Sequence, residues 1–152
     1  MDNLELMKQI DCNSIDLIYC DILYGTGRGF DDFQDLKANR GAIEKFYRPR
    51  IYEMHRVLKD TGSIYLHMDW RISHWIRIIM DEIFGYDNFR AEIIWWYTWG
   101  IRTKKCWNKK HDNINKMPLA NFILFSFLFL LFFSILVPIT IITKVIINKY
   151  SF

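Results

Sequence analysis

The chain has 152 residues, a length that suits one domain with a buried core. Its formal net charge of +3 conceals an uneven distribution, because residues 1–99 carry 12 basic and 16 acidic side chains whereas residues 100–116 carry six and one. Three widely separated cysteines fit neither a disulfide framework nor a metal site, so we expect reduced thiols in a cytosolic protein without metal. The polar first fourteen residues lack the pattern of a secretory signal.

The first third of the sequence predicts a short helix, a strand and a glycine-rich loop. Apolar residues at helical spacing favour a helix over residues 2–10. The apolar run of residues 14–20 predicts a buried strand that ends at Asp21, which places a carboxylate at the edge of a sheet where α/β proteins bind ligands. Glycines at positions 25, 27 and 29 predict a loop, but their spacing is not that of a dinucleotide-binding turn.

The next seventy residues alternate between helical and strand patterns. Residues 39–59 predict a long helix with a kink or a break at Pro49 and a stop at residues 60–62. Residues 63–68 predict a second strand, residues 70–84 a second helix and residues 91–97 a third strand. This alternation predicts βαβ units, and therefore an α/β fold with a parallel sheet and flanking helices.

Long runs of the sequence resemble a known enzyme family. The runs are NLELMKQIDCNSIDLIYCDILYGTGRGF and YRPRIYEMHRVLKDTGSIYLHMDWRISHWIRIIMDEIFGYDNFRAEIIWWYTWG. They resemble the amino-terminal half of bacterial DNA methyltransferases that modify an exocyclic amino group (adenine N6 or cytosine N4), most closely the adenine-N6 enzymes of restriction–modification systems. The resemblance implies a partial Rossmann-like methyltransferase domain over residues 1–116, with DNA as substrate and S-adenosylmethionine as cofactor.

The same resemblance implies roles for individual residues. In the family, the positions of residues 21–24 read Asp-Pro-Pro-Tyr or Asp-Pro-Pro-Phe. Asp21 and the Ile22 carbonyl would accept hydrogen bonds from the target amino group, and Tyr24 would stack on the extruded base. Thr26 and Asp69 would contact the cofactor. Here Ile22 and Leu23 replace both prolines, so the carbonyl is less preorganised, and we expect little or no methyl transfer by this chain alone.

Two further groups of residues allow more than one interpretation. His67 and Asp69 end the second strand and either line the same pocket or, through Asp69, cap the following helix. Aromatic residues of a strand belong to the core more often than to a base-stacking surface, so we expect the four in and after the third strand to be core residues. These are Trp95, Trp96, Tyr97 and Trp99.

A basic strip follows the third strand: Arg102, Lys104, Lys105, Lys109 and Lys110. Such a strip is typical of DNA contact, of a solvated loop or of the positive flank of a membrane span. The family resemblance favours DNA contact.

Residues 117–152 predict a hydrophobic tail. Residues 119–137 carry no charge and are long enough for a membrane-spanning helix, and apolar character continues to Ile147. The tail is either an inner-membrane anchor through residues 119–147 or the product of a frameshift. We favour the frameshift, because the tail begins where the family's domain would continue and the family's glycine-rich cofactor loop does not occur in the sequence. The sequence thus predicts a truncated DNA methyltransferase; the alternative is a membrane-anchored, non-catalytic α/β protein with a cytoplasmic body.

Overall fold

The computed structural model describes residues 2–29, 34–98, 109–118 and 145–148. Within them the chain forms three α-helices and five strands. In chain order these are α1 (Asn3–Met7), β1 (Ile15–Asp21), α2 (Arg40–Val57), β2 (Leu58–Asp69), α3 (Ser73–Phe84), β3 (Ala91–Trp96), β4 (His111–Pro118) and β5 (Val145–Asn148). The predicted α/β alternation is confirmed as far as β3, and β4 and β5 are additions that the sequence did not predict.

The strands form one mixed sheet in the order β3-β4-β2-β1-β5. β1 runs parallel to β2 and to β5. β4 runs antiparallel to β2 and to β3. The prediction of a parallel sheet is therefore wrong for this side of the molecule, because β4 inserts between β2 and β3 and reverses the strand direction.

Alternate residues of β1 and β2 form the floor of the hydrophobic core. Ile18 and Cys20 lie beside Ile64 and Leu66, and all four are buried. The helices cover this face with apolar side chains at three- and four-residue spacing: Ile43, Tyr47, Ile51 and Met54 of α2 and Ile76, Ile79 and Met80 of α3. The residues in between point to the opposite face of the sheet.

The helix α2 runs without interruption through Pro49. It begins after Asn39, whose side chain accepts a hydrogen bond from the Ala42 N–H and so caps the helix. It ends at Val57. Of the predicted kink or break at Pro49, the break is wrong and the kink stays a prediction, because the buried face continues on both sides of the proline and its packing outweighs the hydrogen bond that proline cannot donate.

The residues predicted to stop the first helix lie within β2 instead. The pairing of β1 with β2 shifts there, since Ile15 pairs with Leu58 whereas Leu17 pairs with Ser63. Residues 59–62 are thus accommodated as an irregularity of the strand. The predicted second strand is confirmed, but it begins directly after α2.

The second predicted helix and the third predicted strand are confirmed as α3 and β3. Gly85, with a φ of 87°, ends α3. β3 lies at the edge of the sheet, where Trp95 is 40% and Trp96 is 69% exposed. The prediction that these two tryptophans belong to the core is therefore wrong, and Trp99 lies outside the described residues.

The hydrophobic tail also differs from its prediction. Residues 145–148 form β5, so the hydrophobic helix expected across residues 119–147 is wrong for this part. Residues 119–144, the rest of the predicted membrane segment, lie outside the described residues. In the part of the chain that the structure describes, no helix combines the length and the apolar character needed to cross a membrane.

Candidate active site

Asp21 is the last residue of β1 and lies at the carboxyl edge of the sheet, as the apolar run before it predicts. It pairs with His67 of β2, and its Oδ1 lies 3.8 Å from His67 Nδ1. Tyr24 follows three residues later, close enough for the charge of Asp21 to raise the pKa of its hydroxyl beyond the rise that burial causes. The Tyr24 and His67 rings lie 6.0 Å apart, centroid to centroid. A carboxylate, an imidazole and a phenol therefore meet at this edge.

His67 is held by contacts to both of its ring nitrogens. Nε2 lies 3.3 Å from Asp112 Oδ2 on β4, and Nδ1 lies 2.9 Å from the Tyr19 hydroxyl on β1. Because a carboxylate only accepts, Nε2–H donates to Asp112, and a ring with its single proton on Nε2 accepts at Nδ1 from the Tyr19 hydroxyl. All of these residues lie on the face opposite the helical core, since Tyr19 and Asp21 are two apart on one strand.

Burial and negative charge keep the phenols of the site protonated. Burial raises the pKa of Tyr24, and the charge of Asp21 raises it further. The pKa of Tyr19 is raised by the same two causes in the same order. Burial also raises the pKa of Tyr97, whose hydroxyl hydrogen-bonds to Asp112. Near neutral pH these hydroxyls are therefore protonated and can donate hydrogen bonds, while the carboxylates of Asp21 and Asp112 can only accept them.

The two residues after Asp21 are fixed through their backbone N–H groups. Ile22 N–H donates to the His67 carbonyl at 3.0 Å, which extends the pairing of β1 with β2 by one residue. Leu23 N–H donates to the Tyr47 hydroxyl of α2, also at 3.0 Å. Both side chains are buried, Ile22 at 3% and Leu23 at 8% exposure.

The loop after Tyr24 is organised by the buried carboxylate of Asp35. This carboxylate accepts hydrogen bonds from the N–H groups of Gly25 at 3.1 Å and Thr26 at 2.7 Å, and from the Thr26 hydroxyl. Gly25 has a φ of 72°, and a Cβ at this position would lie 2.6 Å from Ile72 Cγ2. The turn therefore requires glycine both for its backbone conformation and for its close approach to Ile72.

The two residues assigned to cofactor contact by resemblance are engaged within the chain. Thr26 is bound to Asp35 as described. Asp69 accepts hydrogen bonds from the Arg71 N–H at 2.8 Å and from the Arg71 guanidinium at 2.7 Å, both within the turn between β2 and α3. The geometry contradicts the capping interpretation of Asp69, because the N-cap position of α3 is Ile72 and has no side-chain cap hydrogen bond. A cofactor role for Thr26 or Asp69 stays a prediction.

Two members of the predicted basic strip are described. Lys109 Nζ lies 3.5 Å from the centre of the Trp70 ring, and the Arg71 guanidinium carbon lies 4.8 Å from the same centre. Lys110 donates to the Thr98 carbonyl at 2.7 Å. Positive charge therefore gathers around an indole directly after β2. Three members of the strip lie outside the described residues: Arg102, Lys104 and Lys105.

Several residues of the site were not predicted from the sequence: Tyr19, Asp35, Tyr47 and Asp112. The two-residue period of a strand places Tyr19 on the same face as Asp21 and was the available signal. The other three reach the site through contacts between distant parts of the chain, for which the sequence holds no local pattern. Within the described residues, no group of three or more His, Cys, Asp or Glu side chains is arranged to hold a metal ion.

The fold and this edge of the sheet define a methyltransferase-like α/β protein. The N6/N4 DNA methylase family matches residues 15–125, which include β1, α2, β2, α3, β3 and β4. The chain belongs to this family of DNA methylases.

Relatives among characterised proteins are named as bacterial DNA methyltransferases. The type II methyltransferase M.HpaI of Haemophilus parainfluenzae is 32% identical over 111 residues, which cover 73% of this chain and 35% of the relative. The DNA adenine methyltransferase YhdJ of Escherichia coli is 29% identical over 117 residues, covering 76% of this chain and 38% of the relative. The chain thus spans little more than a third of these relatives' length.

Solved structures share the fold at low identity. The PvuII DNA methyltransferase, which is specific for cytosine N4, superimposes with a TM-score of 0.57 at 12% identity over 79% of this chain and 48% of its own. A DNA modification methylase from Thermus thermophilus, in complex with S-adenosyl-L-methionine, gives a TM-score of 0.58 at 13% identity over 77% of this chain and 52% of its own. These likenesses concern the fold alone.

Proposed function

We propose that this chain is the base-binding part of a DNA methyltransferase. It binds the base that is to be methylated and takes part in methyl transfer from S-adenosylmethionine to an exocyclic amino group of that base. The observation that carries the proposal is the pair of Asp21 and Tyr24. Both lie at the carboxyl edge of the sheet, Tyr24 three residues after Asp21, and the His67 side chain lies beside each of them. The family match supplies the class of reaction.

The amino group of a nucleobase is a weak nucleophile, because its lone pair is shared with the ring. Asp21 accepts one amino hydrogen and the Ile22 carbonyl accepts the other, which directs the nitrogen lone pair toward the methyl donor. The nitrogen would gain the methyl group as the S–C bond of the sulfonium donor breaks and leaves a neutral thioether, and the proton that the nitrogen gives up would pass to Asp21. The Tyr24 ring supports the base after it has left the duplex.

The described side chains fit the base better than they fit the cofactor. Asp21 and Tyr24 offer an acceptor and an aromatic face, whereas Thr26 and Asp69 already direct their polar atoms to Asp35 and Arg71. S-adenosylmethionine, when bound, supplies the methyl group. We assign no contact of the described side chains to it.

Contact with the DNA backbone is assigned to the basic strip. Lys109 and Lys110 lie just before β4, and their charges favour phosphate over any uncharged partner. The remaining members are assigned from sequence: Arg102, Lys104 and Lys105. Trp70, which both Lys109 and Arg71 approach, adds an aromatic surface to this side of the site.

Adenine N6 is the proposed target, in preference to cytosine N4. The sequence resemblance is strongest to adenine enzymes, and one relative, YhdJ, is named as a DNA adenine methyltransferase. The site geometry serves either amino group, so the preference depends on the resemblance.

The proposed rate is low. Ile22 and Leu23 stand where the family carries two prolines, and neither residue fixes its own φ as proline does. Loss of such positioning lowers the rate by about one to two orders of magnitude. The hydrogen bonds of Ile22 and Leu23 restore part of the restraint.

The test is to incubate the purified chain with S-adenosylmethionine and unmethylated genomic DNA, and then to quantify methylated nucleosides by mass spectrometry. Genomic DNA presents every recognition sequence at once. From the chain alone we expect little or no N6-methyladenine, a faster rate in the Ile22→Pro/Leu23→Pro variant and none in Asp21→Ala. Absence of product from both the chain and the proline variant would contradict the activity, and N4-methylcytosine as the main product would contradict the target.

A further inference from the structure

After Asp21 the chain leaves the sheet, and Tyr24 must lie close to Asp21. The two residues between them, Ile22 and Leu23, do not fix their own φ as proline would. The side chains of Ile22 and Leu23 are buried, so they fix the segment only by packing. The backbone direction depends on what the two N–H groups bind. Ile22 binds β2, the strand on which His67 lies. Leu23 binds a side chain, Tyr47.

Tyr47 is well placed to act as a fixed acceptor. It is 1% exposed, and its neighbours along the helix face, Ile43 and Ile51, are fully buried. Its ring packs edge-on against Phe46, with 5.0 Å between centroids. Its hydroxyl lies 3.0 Å from the Leu23 nitrogen, and the two residues are 24 positions apart in the chain. The core helix α2 thereby reaches the base-binding segment through one hydrogen bond.

We propose that Tyr47 is a positioning residue, whose hydroxyl holds Leu23 so that Tyr24 and the Ile22 carbonyl face the target base. The inference depends on the proposed function, because it names a residue that serves the same site. Tyr47 contacts no substrate and acts through Leu23. In a chain with proline at position 23, the pyrrolidine ring restricts the backbone and no N–H needs a partner. Here the Tyr47 hydroxyl restricts the backbone instead, by accepting the hydrogen bond of the Leu23 N–H.

A purely structural role for Tyr47 makes a different prediction. If only the packing of the ring mattered, removal of the hydroxyl would leave Leu23 and Tyr24 unaffected, because Tyr47→Phe keeps the ring. If the hydroxyl positions the segment, the same variant leaves the Leu23 N–H without that acceptor. In that case Tyr47→Phe should have no effect in a chain that already carries Leu23→Pro, because proline has no N–H that needs the hydroxyl.

The first measurement is amide hydrogen exchange by NMR on the full chain. In Tyr47→Phe we expect the Leu23 amide to exchange about threefold to tenfold faster, with the core strands unchanged. The matched control is Tyr52→Phe, which removes a hydroxyl from an exposed tyrosine of the same helix. Unchanged Leu23 exchange in a folded Tyr47→Phe variant overturns the proposal.

The second measurement is binding of a short oligodeoxyadenylate, followed through the amide shift of Tyr24. Tyr47→Phe should weaken binding severalfold, whereas Tyr47→Phe in a Leu23→Pro background should bind as Leu23→Pro alone does. Equal weakening in both backgrounds overturns the proposal, because the hydroxyl would then not act through Leu23. If Tyr47→Phe does not fold, Leu23→Pro alone is decisive: retained binding supports the assignment, and loss of binding in a folded variant refutes it.

The two measurements separate this inference from the proposed function. Accelerated Leu23 exchange in a chain whose wild type binds no oligodeoxyadenylate supports the hydrogen-bond role of Tyr47 and refutes the base-binding assignment of Tyr24. Wild-type binding that is insensitive to Tyr47→Phe supports the function and refutes the role of Tyr47.

Discussion

Asp21 and His67 occupy paired positions at the ends of two parallel strands, with 3.8 Å between the carboxylate Oδ1 and the imidazole Nδ1. His67 is oriented from its other side by Asp112, at 3.3 Å. The imidazole therefore lies between two carboxylates contributed by different strands. The orientation of the ring decides which of its nitrogens faces Asp21, the proposed acceptor of a hydrogen bond from the amino group of the base.

The first prediction concerns the orientation of His67. Asp112→Asn replaces a charged acceptor of the Nε2–H with a neutral amide, which weakens that hydrogen bond. We expect a loss of about 1 kcal/mol in the free energy of unfolding and a shift of the His67 side-chain ¹⁵N signals that reports the change of tautomer preference. Asp87→Asn, in the surface turn after α3, is the control. Identical His67 signals in Asp112→Asn and wild type would refute the orientation by Asp112.

The second prediction concerns the turn at Gly25. A side chain there meets Ile72 Cγ2 at 2.6 Å in a backbone region that favours glycine. Gly25→Ala should therefore lower the free energy of unfolding by about 1–3 kcal/mol. Gly41→Ala is the matched control, because Gly41 lies in α2 with ordinary space around it and should gain about 0.5–1 kcal/mol. Chemical denaturation measures both, and equal effects would contradict the structure of the turn.

The third prediction concerns Asp35, whose carboxylate organises the loop after Tyr24. Asp35→Asn keeps the shape but replaces one acceptor oxygen with an NH₂ group, which faces donors of Gly25 and Thr26. We expect a loss of about 2–4 kcal/mol, since the removed hydrogen bonds are charge-assisted. Amide exchange at Gly25 and Thr26 should rise before that of the sheet does. Protection of these two amides at the wild-type level would show that the loop does not depend on Asp35.

The fourth prediction is a loss of stability at alkaline pH. Burial raises the pKa of the Cys20 thiol to about 12, and burial also raises the pKa values of Tyr19, Tyr24 and Tyr47. Between the unfolded and folded pKa values the folded chain holds protons that the unfolded chain releases. The stabilisation is therefore complete below about pH 9 and declines as the pH rises toward 12.

Urea unfolding at about pH 8, 9, 10 and 10.5 measures this decline across the range in which unfolded thiols and phenols lose their protons. Tyr24→Phe removes one of the contributing groups, so its stability should fall less steeply over the same range. A free energy of unfolding that stays constant throughout would show that these groups are not buried as described.

Much of the site's framework could be predicted from local sequence. The apolar run before Asp21 identifies β1, because a buried parallel strand needs apolar side chains on both faces. The period of α2 and α3 identifies their buried faces in the same way. The resemblance carried by residues 21–24 then indicates the edge at which the chemistry belongs.

The parts that could not be predicted depend on long-range pairing. β4 has the sequence HDNINKMP, which is rich in residues that disfavour strands. It forms a strand because it pairs with both β2 and β3. In this position Ile114 and Met117 are completely buried. Its position displaces β3 to the edge, so Trp95 and Trp96 are exposed despite their strand pattern. The hydrogen bond of Tyr47 to Leu23 likewise exists only in the folded chain.

The most direct test of the account is whether Asp21 binds the amino group of adenine. NMR titration of the full chain with oligodeoxyadenylate should shift the amides of residues 21–26, and Asp21→Asn should weaken this binding severalfold while leaving the fold intact, because it removes the charge of the acceptor and converts one of its two oxygens into an N–H donor. Asp16→Asn, at the other end of β1 and paired with Lys59, should bind as wild type does. Undiminished binding by Asp21→Asn, or equal binding of oligothymidylate, which has no amino group, would contradict the central claim.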